Sequence, residues 1–529
     1  MKLTRLGIRQ ADEWRGAAVR LPEFDIDAMR SATAEQPEWI HFGAGNIFRG
    51  FIGSIAQRLL NGKKSETGII AVESFDFEMI DRIYEKHDNL TINVLVGKEG
   101  ELNAEVLAGI AEAFKSTERE RLLKAAAAPS LKMISFTITE KGYAVTDAAG
   151  NLTEAAAEDI KNGPDAVHKH TMSIAASMLY HRFKNGAMPI AAVSMDNCSH
   201  NGEKLKNGVM RIIKAWKENG FIDDAFEKYA EEKVSFPWSM IDKITPRPDE
   251  KIKARLEQSG IEDMDIIVTS KHTYTAPFVN AEIPEYLVIE DDFPNGRPQL
   301  EAAGVYMTDR ETVNRAETMK VTTCLNPLHT GLAVFGCLLG YTEIWREMAD
   351  PALAGLAKAI ADEGMKVVVN PGIIDPSAFA REVLCERLPN PGIPDTPQRI
   401  ATDTSQKIPV RYGETIKSYT ASETLDASSL DAIPTVIAGW LRYLLAVDDG
   451  GRAFEPSPDP MSAQLKELLS GIEPGKPETA AGKLDKLLSN ENIFGVDLNK
   501  AGLSEKVKSI FAEMLEGSGA VRRVLNRFI

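Results

Sequence analysis

The sequence predicts an α/β domain with a mostly parallel sheet, followed by a mainly α-helical domain. Over about the first 300 residues, short apolar runs rich in β-branched residues alternate with helix-like segments. Alternation of this kind is typical of parallel sheets that carry helices on their faces. From about Glu301 onward, segments with helical periodicity dominate instead. We therefore expect residues 1–300 to form the α/β domain and residues 301–529 to form the helical domain.

The candidate elements follow from these patterns. The candidate strands of the α/β domain are Trp39–Phe42, Gly68–Val72, Met133–Thr139, Pro189–Ser194 and Ile266–Thr269. The candidate helices of the second domain are Thr330–Glu347, Ala352–Glu363, Asp431–Val447, Ala463–Leu469 and Leu503–Leu515. The segment Glu455–Pro460 separates two of these helices, because its three prolines cannot lie inside a helix.

The composition narrows the class of protein. A hydrophobic content of 43% and a charged content of 26% over 529 residues are ordinary for a soluble globular chain. The formal net charge of −16 repels phosphate backbones, so we expect no nucleic-acid partner. A small anionic substrate is not excluded, because its site needs only a local basic cluster.

Cysteine usage and hydropathy bear on the compartment. No two of the four cysteines form a CxxC pair, so neither a zinc site nor a disulfide framework is indicated. The N-terminal segment lacks the apolar core of a signal peptide. The longest strongly apolar run, Leu332–Tyr341, has half the roughly 20 residues that a bilayer requires, and we interpret it as a buried helix. We expect a cytoplasmic monomer or small homo-oligomer without a membrane partner.

A glycine-rich turn is the first sign of a cofactor site. The candidate strand Trp39–Phe42 runs directly into this turn, and a helix-like stretch follows. Its first glycine permits a tight turn, its second lets a pyrophosphate approach the backbone, and the helix N-terminus attracts phosphate. The third fingerprint position is phenylalanine rather than Gly or Ala, so an ordinary strand-to-helix turn is the alternative. The cofactor-binding residues that we expect here are Gly43, Gly45, Asn46, Phe48 and Arg49.

An acidic residue at the end of the next strand refines the cofactor prediction. Gly68–Val72 leads into Glu73, and Asp76 follows. A carboxylate at this point can accept both ribose hydroxyls of NAD and repels the 2′-phosphate of NADP. A solvated loop carboxylate is the alternative, and the spacing from the glycines is longer than the usual 20 or so residues. We expect NAD as the cofactor and Glu73 as a ligand of its ribose.

Two further stretches place polar side chains where a substrate is expected. Asn197 follows the candidate strand that ends at Ser194, and ligands of open α/β sheets bind beyond the carboxyl ends of strands. Its amide could donate to a substrate oxygen or belong to an Asx-rich turn. Asp242 lies between apolar neighbours, so its carboxylate needs a basic partner such as Lys243 or a substrate hydroxyl.

A third stretch supplies candidate catalytic groups. Asn326 and His329 are three residues apart and so share a helical face, and Lys320 lies about two turns upstream. A lysine, an amide and an imidazole at one place suit an alcohol dehydrogenase centre that uses no metal. Pro327 bends or starts a helix here, and a histidine taken alone can equally be a core residue.

Seven stretches together resemble the polyol-specific long-chain dehydrogenases, the mannitol dehydrogenase and hexuronate reductase family. The resemblance spans roughly residues 38–410, and the last hundred residues share only helical texture. In the family's order, the stretches are HFGAGNIFRG (His41–Gly50), SFTITEKGY (Ser135–Tyr143), MDNCSHNG (Met195–Gly202), FPWSMIDKITP (Phe236–Pro246), VIEDDFPNGRP (Val288–Pro298), LNPLHTGLA (Leu325–Ala333) and NPGIPDTPQRIATDTSQKIP (Asn390–Pro409).

The resemblance implies a Rossmann-like N-terminal domain, an α-helical C-terminal domain, NAD as the cofactor and no catalytic zinc. By position, Lys320 is similar to the family's general base, and Asn197 and Asn326 to the pair that polarises the substrate oxygen. The expected catalytic residues are Lys320, Asn197, Asn326 and His329. The expected substrate-binding residues are Asp242, Arg399 and Lys407, of which the last two could instead be solvated surface charges.

One departure from the family concerns the lysine. The family usually has one residue fewer between the lysine and the asparagine than separates Lys320 from Asn326 here. An extra residue in a helix rotates the lysine by about 100° unless a π-helical bulge absorbs it. Because the spacing of Asn326 and His329 is intact, we predict such a bulge next to Lys320.

Together these observations predict an NAD-dependent oxidoreductase that interconverts a keto sugar acid and its secondary alcohol, with D-fructuronate and D-mannonate as the preferred pair. To act as a base near neutral pH, Lys320 needs a pKa about two to three units below roughly 10.4. D-Tagaturonate and neutral polyols such as mannitol are alternative substrates. An NAD-retaining epimerase and a nucleotide-binding sensor without turnover are alternatives of another class.

Overall fold

The computed structural model describes residues 1–529 and divides into two compact units. The first contains residues 1–96 and 101–314, and the second contains residues 97–100 and 315–529. The strands, β1 to β15, are Val19–Arg20, Trp39–Phe42, Ile69–Glu73, Thr91–Val96, Leu102–Leu107, Ile110–Lys115, Met133–Phe136, Ile190–Ser194, Val234–Ser235, Ser239–Asp242, Ile267–Val268, Tyr274–Thr275, Phe278–Glu282, Tyr286–Glu290 and Tyr306–Thr308.

The helices are distributed over both units. Helices α1 to α10 are Ala11–Gly16, Ile26–Glu35, Gly53–Asn61, Arg119–Ala127, Glu154–Asn162, Thr171–Lys184, Asn201–Glu218, Asp224–Glu232, Glu250–Gln258 and Arg310–Met319. Helices α11 to α23 are Asn326–Leu339, Ile344–Met348, Pro351–Met365, Pro376–Glu382, Pro397–Ile400, Thr404–Ile408, Glu414–Ala421, Ala432–Tyr443, Ser462–Leu468, Asp485–Leu488, Glu491–Phe494, Ser504–Met514 and Ala520–Leu525. Short π-helical turns lie at Phe48–Ile52, Ile80–Tyr84, Lys320–Cys324, Val383–Arg387 and Pro409–Gly413.

A six-stranded parallel sheet organises the first unit. Its strand order is β6-β3-β2-β7-β8-β9, and every neighbouring pair is parallel. Counted along the chain within this sheet, the order is 3-2-1-4-5-6, which is typical of dinucleotide-binding domains. Ile40 and Phe42 of β2 pack in one hydrophobic cluster and Trp39 in another, so both faces of the sheet are covered. The order reverses between β2 and β7, and ligands of such sheets bind beyond the carboxyl ends of the strands at that point.

Four of the five predicted strands lie in this sheet, with ends shifted by a few residues at most. The fifth prediction, Ile266–Thr269, is wrong as a strand of the parallel sheet. The segment contributes only Ile267–Val268, which pairs antiparallel with Tyr274–Thr275 in a small hairpin. Val268 is 47% exposed, whereas the strands of a covered parallel sheet are buried on both faces. Val234–Ser235 occupies the sixth place in the sheet instead.

Two further sheets are not indicated by the sequence pattern. A four-stranded sheet has the order β1-β5-β4-β13, and a three-stranded sheet has the order β10-β14-β15. In the first of these, β13 pairs in parallel with β4, with Phe278 opposite Ile92. The two strands are distant along the chain. The second sheet places Asp242 at the end of β10, opposite Tyr286 of β14.

Helix α11 lies in the core of the second unit and packs against α13, α15 and α18. The prediction of one helix over Thr330–Glu347 is corrected to two, because Gly340 adopts a left-handed conformation (φ +76°) and ends α11. The helical run Arg310–Leu339 is long and apolar enough to cross a membrane, but 78% of its most apolar window is buried. That burial agrees with the interpretation of a core helix.

Candidate active site

The glycine turn after β2 has the geometry that a dinucleotide site requires. Gly43 has a φ of +101°, and a Cβ atom there would collide with the carbonyl oxygen of Thr137. A Cβ atom at Gly45 would meet nothing within 4 Å, so the space in front of its backbone is open. The helix begins at Asn46, so its first N–H groups lie at this open side of the turn. Gly43 therefore makes the turn possible, and Gly45 leaves room for a ligand.

Phe48 and Arg49 support this turn from inside the protein. Phe48 is fully buried and stacks on His41 with ring centroids 4.1 Å apart. The Arg49 guanidinium is also buried and donates to Asn46 Oδ1, Thr275 Oγ1 and the carbonyl oxygen of Ala276. Both side chains therefore have internal contacts, through which they hold the turn and the hairpin β11–β12. A direct contact of either residue with the cofactor stays a prediction.

Glu73, the predicted ribose ligand, is tied to the backbone of the same site. Its Oε2 accepts from the Ala44 N–H at 2.8 Å, and its Oε1 accepts from the N–H groups of Phe75 and Asp76 at 2.8 and 3.1 Å. Burial raises the pKa of Glu73, and these three backbone hydrogen bonds oppose that rise. The carboxylate therefore joins the end of β3 to the middle of the glycine turn, which gives it a structural role in addition to the predicted one.

Asp76 is a second acidic residue at this end of the sheet. It is 5% exposed, and its Oδ2 accepts from the Thr269 hydroxyl at 2.6 Å. Its Oδ1 is buried and has no hydrogen-bond partner. A buried carboxylate oxygen without a donor is costly, so this atom fits a ligand hydroxyl that would donate to it. The sequence signal was its position three residues after Glu73, at the end of the second strand of the sheet.

An exposed aromatic ring lies between the two acidic residues. Phe75 is 68% exposed, and the ammonium of Lys271 lies 5.1 Å from the centroid of its ring. Lys271 belongs to the loop of the hairpin β11–β12, whose Ser270 N–H also donates to Glu78 at 2.8 Å. A flat apolar surface beside buried carboxylates suits the base of a nucleotide.

Asn197 lies in the turn that follows β8, at the carboxyl end of the parallel sheet, and is exposed. The preceding Asp196 fixes this turn, because its carboxylate accepts from the N–H groups of Ile138 and Thr139 and from the Tyr143 hydroxyl. Burial raises the pKa of Asp196, and these hydrogen bonds lower it. The backbone around Asn197 is therefore held by charge-assisted hydrogen bonds.

The same turn is connected to the strand that carries Asp242. The amide of Asn201 donates to the carbonyl oxygens of Asp196 and Ser239, both at 3.0 Å. Asp242 is 6% exposed at the end of β10. Lys243, its suggested partner, instead forms an ion pair with Glu285 at 3.1 Å. The first unit thus brings the Asn197 turn and the Asp242 strand together through Asn201.

Lys320 begins a π-helical turn in the second unit, as predicted. The turn spans Lys320–Cys324, and the Leu325 N–H donates to the Lys320 carbonyl oxygen five residues earlier at 3.1 Å. Helix α11 then starts at Asn326. A π-helical turn contains one residue more than an α-helical turn, which is the feature predicted between the lysine and the asparagine. Lys320 itself is only 1% exposed.

Asn326 and His329 lie in the first turn of α11, and two further charged residues join them. His329 Nε2 lies 3.4 Å from Asp395 Oδ2, and Arg399 makes two hydrogen bonds to the same carboxylate at 2.7 and 2.5 Å. Burial lowers the pKa of His329, although Asp395 opposes this. Burial would raise the pKa of Asp395, but His329 and Arg399 together hold it below its usual value. Asp395 therefore connects two predicted site residues.

Lys407 and Arg411 form a basic pair in the same unit. The Lys407 ammonium donates to the carbonyl oxygens of Ile400 and Thr402, at 2.7 and 2.5 Å. Burial, with a contribution from Arg411, lowers the pKa of Lys407 to about 8. Arg411 donates to the Thr330 hydroxyl, and burial lowers its pKa to about 10. Both cations are thus partly desolvated and face neutral oxygen atoms.

Two residues of this group were missed by the sequence reasoning. Asp395 lies four residues before Arg399, the spacing of a favourable helical ion pair, and that spacing was an available signal. Arg411 gave no comparable signal, because its link to α11 depends on the tertiary fold.

All four cysteines are free thiols, and no group of three His, Cys, Asp or Glu side chains is arranged to hold a metal ion.

Comparison with known proteins places this arrangement in a family. Residues 37–302 match the mannitol dehydrogenase Rossmann domain, and residues 312–515 match the mannitol dehydrogenase C-terminal domain. The chain belongs to the mannitol dehydrogenase family. The predicted family, fold class and oxidoreductase activity are thereby confirmed.

Individual relatives agree with this assignment. The chain is similar to the D-mannonate oxidoreductase of Thermotoga maritima, with 51% identity over 100% of this chain and 99% of that protein. A crystal structure of D-sorbitol dehydrogenase in substrate-free form matches with a TM-score of 0.80 at 25% identity, over 96% of this chain and 97% of that one. The Pseudomonas fluorescens mannitol 2-dehydrogenase, solved with NAD and D-mannitol, matches with a TM-score of 0.72 at 24% identity, over 100% of this chain and 99% of that one.

Proposed function

We propose that this member of the mannitol dehydrogenase family reduces the ketone of D-fructuronate to the secondary alcohol of D-mannonate with NADH, and catalyses the reverse oxidation with NAD. The observation that carries the proposal is the 51% identity to a D-mannonate oxidoreductase over the whole chain. The enzyme acts in the cytoplasm, as a monomer or small homo-oligomer, on a small-molecule substrate and without nucleic-acid or membrane partners.

The basic groups of the second unit support an anionic substrate. Arg411 and Arg399 add to the effect of burial in lowering the pKa of Lys407. Arg399 is paired with Asp395, whereas Lys407 and Arg411 bind neutral oxygens. A carboxylate of a sugar acid would complement these two cations. A neutral polyol would supply hydroxyl groups only, so mannitol is the weaker candidate.

The substrate assignment is tested by comparing initial rates of NADH oxidation with D-fructuronate, D-tagaturonate and D-fructose at equal concentrations. We expect kcat/KM for D-fructuronate to exceed that for D-fructose by at least about tenfold, since a charge-assisted contact to the carboxylate is worth about 1.5 kcal/mol or more. D-Tagaturonate has the same carboxylate, and a kcat/KM for it above that for D-fructuronate would favour this epimer as the substrate. A higher kcat/KM for D-fructose would reject the acid substrate and favour the polyol alternative.

The residues of the first unit fit NAD as the cofactor. The open space at Gly45 and the free helix N-terminus suit the pyrophosphate. The buried Asp76 Oδ1 suits a ribose hydroxyl, and Glu73 beside it adds negative charge that repels a 2′-phosphate. Phe75 offers its exposed ring to the adenine. When bound, NAD supplies the carbon that accepts or donates the hydride.

Substitutions at Gly43 and Gly45 test separately whether a glycine is needed to form the turn and whether it is needed to leave room for the ligand. Gly45→Ala adds a methyl group to open space, so we expect unchanged stability but NADH binding weakened by at least about tenfold. Gly43→Ala puts alanine at positive φ and against Thr137, and we expect it to destabilise the protein by more than about 1–2 kcal/mol. Denaturant unfolding and NADH fluorescence titration measure the two effects. Normal NADH affinity in Gly45→Ala would reject the pyrophosphate assignment.

The catalytic assignments follow from the chemistry of each side chain. We assign Lys320 as the general base for alcohol oxidation and, protonated, as the general acid for ketone reduction. Burial disfavours an ammonium, which suits a lysine that must be neutral to accept a proton. Asn197 and Asn326 donate N–H groups to the substrate oxygen as negative charge develops on it. His329, held by Asp395, donates to a neighbouring hydroxyl of the substrate.

Three further residues bind the rest of the substrate in this proposal. Asp242 accepts from a substrate hydroxyl, and Arg399 and Lys407 contact its oxygen atoms. Arg399 is exposed apart from its pairing with Asp395, so part of its guanidinium stays available to a ligand. Each of the three residues thereby makes a contact that its charge favours.

The lowered pKa of Lys407 predicts how substrate affinity depends on pH. Below about pH 8 its ammonium is charged and attracts a carboxylate; above that pH it becomes neutral. We expect kcat/KM for D-mannonate oxidation to lose a contribution from this ion pair above about pH 8, because this parameter reports ionisations of the free enzyme. In Lys407→Met the contribution should be absent at every pH. Identical pH profiles of kcat/KM in wild type and variant would contradict the role of Lys407.

A further inference from the structure

A buried carboxyl group in the second unit has no part in the reaction described above. Glu347 in the short helix α12 is 0% exposed, and neither of its carboxyl oxygens has a hydrogen-bond partner. Buried carboxylates are normally paired or hydrogen-bonded, because an isolated charge is strongly disfavoured in a protein interior. The simplest state of this group is therefore the neutral acid.

The location of Glu347 connects it with the predicted site. Its carboxyl lies against Gly336 of α11, where a Cβ atom would overlap Oε1. Gly336 is seven residues after His329, so the two lie on the same face of that helix. The first residue of α12, Ile344, donates its N–H to the carbonyl oxygen of Asp395 at 3.0 Å. Helix α12 thus contacts both the helix that carries His329 and the segment that contains Asp395.

The two charged groups that act most strongly on Glu347 are both negative. Asp395, on the segment before α15, and Asp350, at the N-terminus of α13, both raise the pKa of Glu347, in addition to the larger effect of burial. Asp350 is itself paired with Arg522 of α23 at 2.5 Å, and Asp395 with Arg399. From α11, the thiol of Cys337 and the imidazole of His329 are the titratable groups, and on α12 itself Glu343 and Arg346 pair with each other.

We propose that Glu347 is a positioning residue for His329, Asp395 and Arg399: as a neutral acid it leaves Asp395 the single negative charge of that group, and when ionised it disturbs the group. A second negative charge close to Asp395 would compete for Arg399 and change the hydrogen bonding of His329. Neither carboxyl oxygen of Glu347 has a hydrogen-bond donor that would stabilise this charge. Ionisation of Glu347 would therefore reduce turnover without any change in Lys320 or in the cofactor site.

The pH dependence of alcohol oxidation distinguishes the effect of Glu347 from that of the catalytic Lys320. In alcohol oxidation Lys320 must be neutral, so its titration makes the rate rise with pH. We expect a fall in kcat for D-mannonate oxidation at alkaline pH, of up to about tenfold per pH unit, that belongs to Glu347. Because kcat is measured at saturating substrate, the loss of the Lys407 ion pair, which lowers kcat/KM, does not contribute to this fall. In Glu347→Gln, which keeps the shape but cannot ionise, this fall should be absent while the acid limb is unchanged. Glu343→Gln, which removes a carboxylate from the N-cap of the same helix, is the matched control and should keep the fall.

A second readout does not depend on the substrate. The raised pKa of Glu347 means that the wild type loses stability as pH rises from the unfolded value of about 4.3 toward the folded value. The stability of Glu347→Gln relative to wild type should therefore increase over that window. If Glu347→Gln does not accumulate as folded protein, the pH profiles of activity and of stability are measured on Glu347→Met instead. The stability readout stands even if D-mannonate is not oxidised, whereas the activity readout rests on the proposed function.

Two results would overturn the proposal. One is a wild-type pH profile of kcat for oxidation, measured up to about pH 10, without an alkaline fall. The other is a fall of the same size at the same pH in Glu347→Gln. A stability difference that increases with pH, combined with identical activity profiles, would show that Glu347 is a buried acid with a structural role only.

Discussion

Replacing Lys320 by alanine is expected to lower kcat by about 10²–10⁴-fold while NADH binding is retained. This is the usual contribution of a positioned general acid or base. Lys320 is 1% exposed at the start of a π-helical turn, directly before the helix that carries Asn326 and His329. The cofactor contacts proposed here lie in the first unit, at Gly45 and Asp76, so removal of an amine from the second unit leaves them intact.

Steady-state kinetics and NADH titration measure the two quantities separately. Small primary amines added to Lys320→Ala should restore part of the activity, because the missing proton carrier can be supplied from solution. Lys358→Ala is the matched control: it removes a surface lysine, 69% exposed and paired with Asp362, and should leave kcat unchanged. If Lys320→Ala turns over within tenfold of wild type, Lys320 is not the base.

The second large effect is expected at Asn197. Removing one donor from the site that stabilises developing negative charge costs about 2.7–4 kcal/mol, or about 10²–10³ in kcat. Asn197→Ala should show that loss with a small change in KM, because the contact strengthens mainly in the transition state. Asn197→Asp should lose at least as much, since a carboxylate cannot donate to an oxyanion.

The control for this series is another exposed asparagine of the first unit. Asn185 follows α6 and donates to the carbonyl oxygen of His181 at 2.8 Å, away from the carboxyl ends of the strands. Asn185→Ala should therefore leave kcat unchanged. Equal kcat values for Asn197→Ala and the wild type would remove Asn197 from the proposed mechanism, whereas a raised KM alone would make it a substrate-binding residue.

The parallel sheet was predictable because its strands are buried on both faces. Such strands appear as short, continuous apolar runs, and four of them were located from the sequence within a few residues. Ile266–Thr269 has the same apolar character but forms a two-stranded hairpin, so local composition could not distinguish the two cases. The sheet that joins β4 to β13 depends on long-range pairing, for which the sequence contains no local signal.

Within the candidate site, too, local features could be predicted from the sequence, whereas long-range contacts could not. The turn at Gly43 follows from a local glycine motif, and the π-helical turn at Lys320 follows from comparing its spacing to Asn326 with that of the family it resembles; the structure contains both features. The hydrogen bonds of Glu73 to the glycine turn and the buried position of Arg49 depend on contacts between distant segments. Motif spacing therefore predicts the candidate residues, while the tertiary contacts determine which side chains remain available to a ligand.

In the proposed reaction this chain transfers a hydride between a nicotinamide cofactor and a sugar acid. The most direct test incubates the purified protein with limiting NADH and excess D-fructuronate, then quantifies NAD and identifies the sugar product. We expect one D-mannonate to form for each NADH oxidised. Isomerised substrate with NADH unchanged would indicate an epimerase, and bound but unconsumed NADH would indicate a sensor; either result would contradict the proposed function.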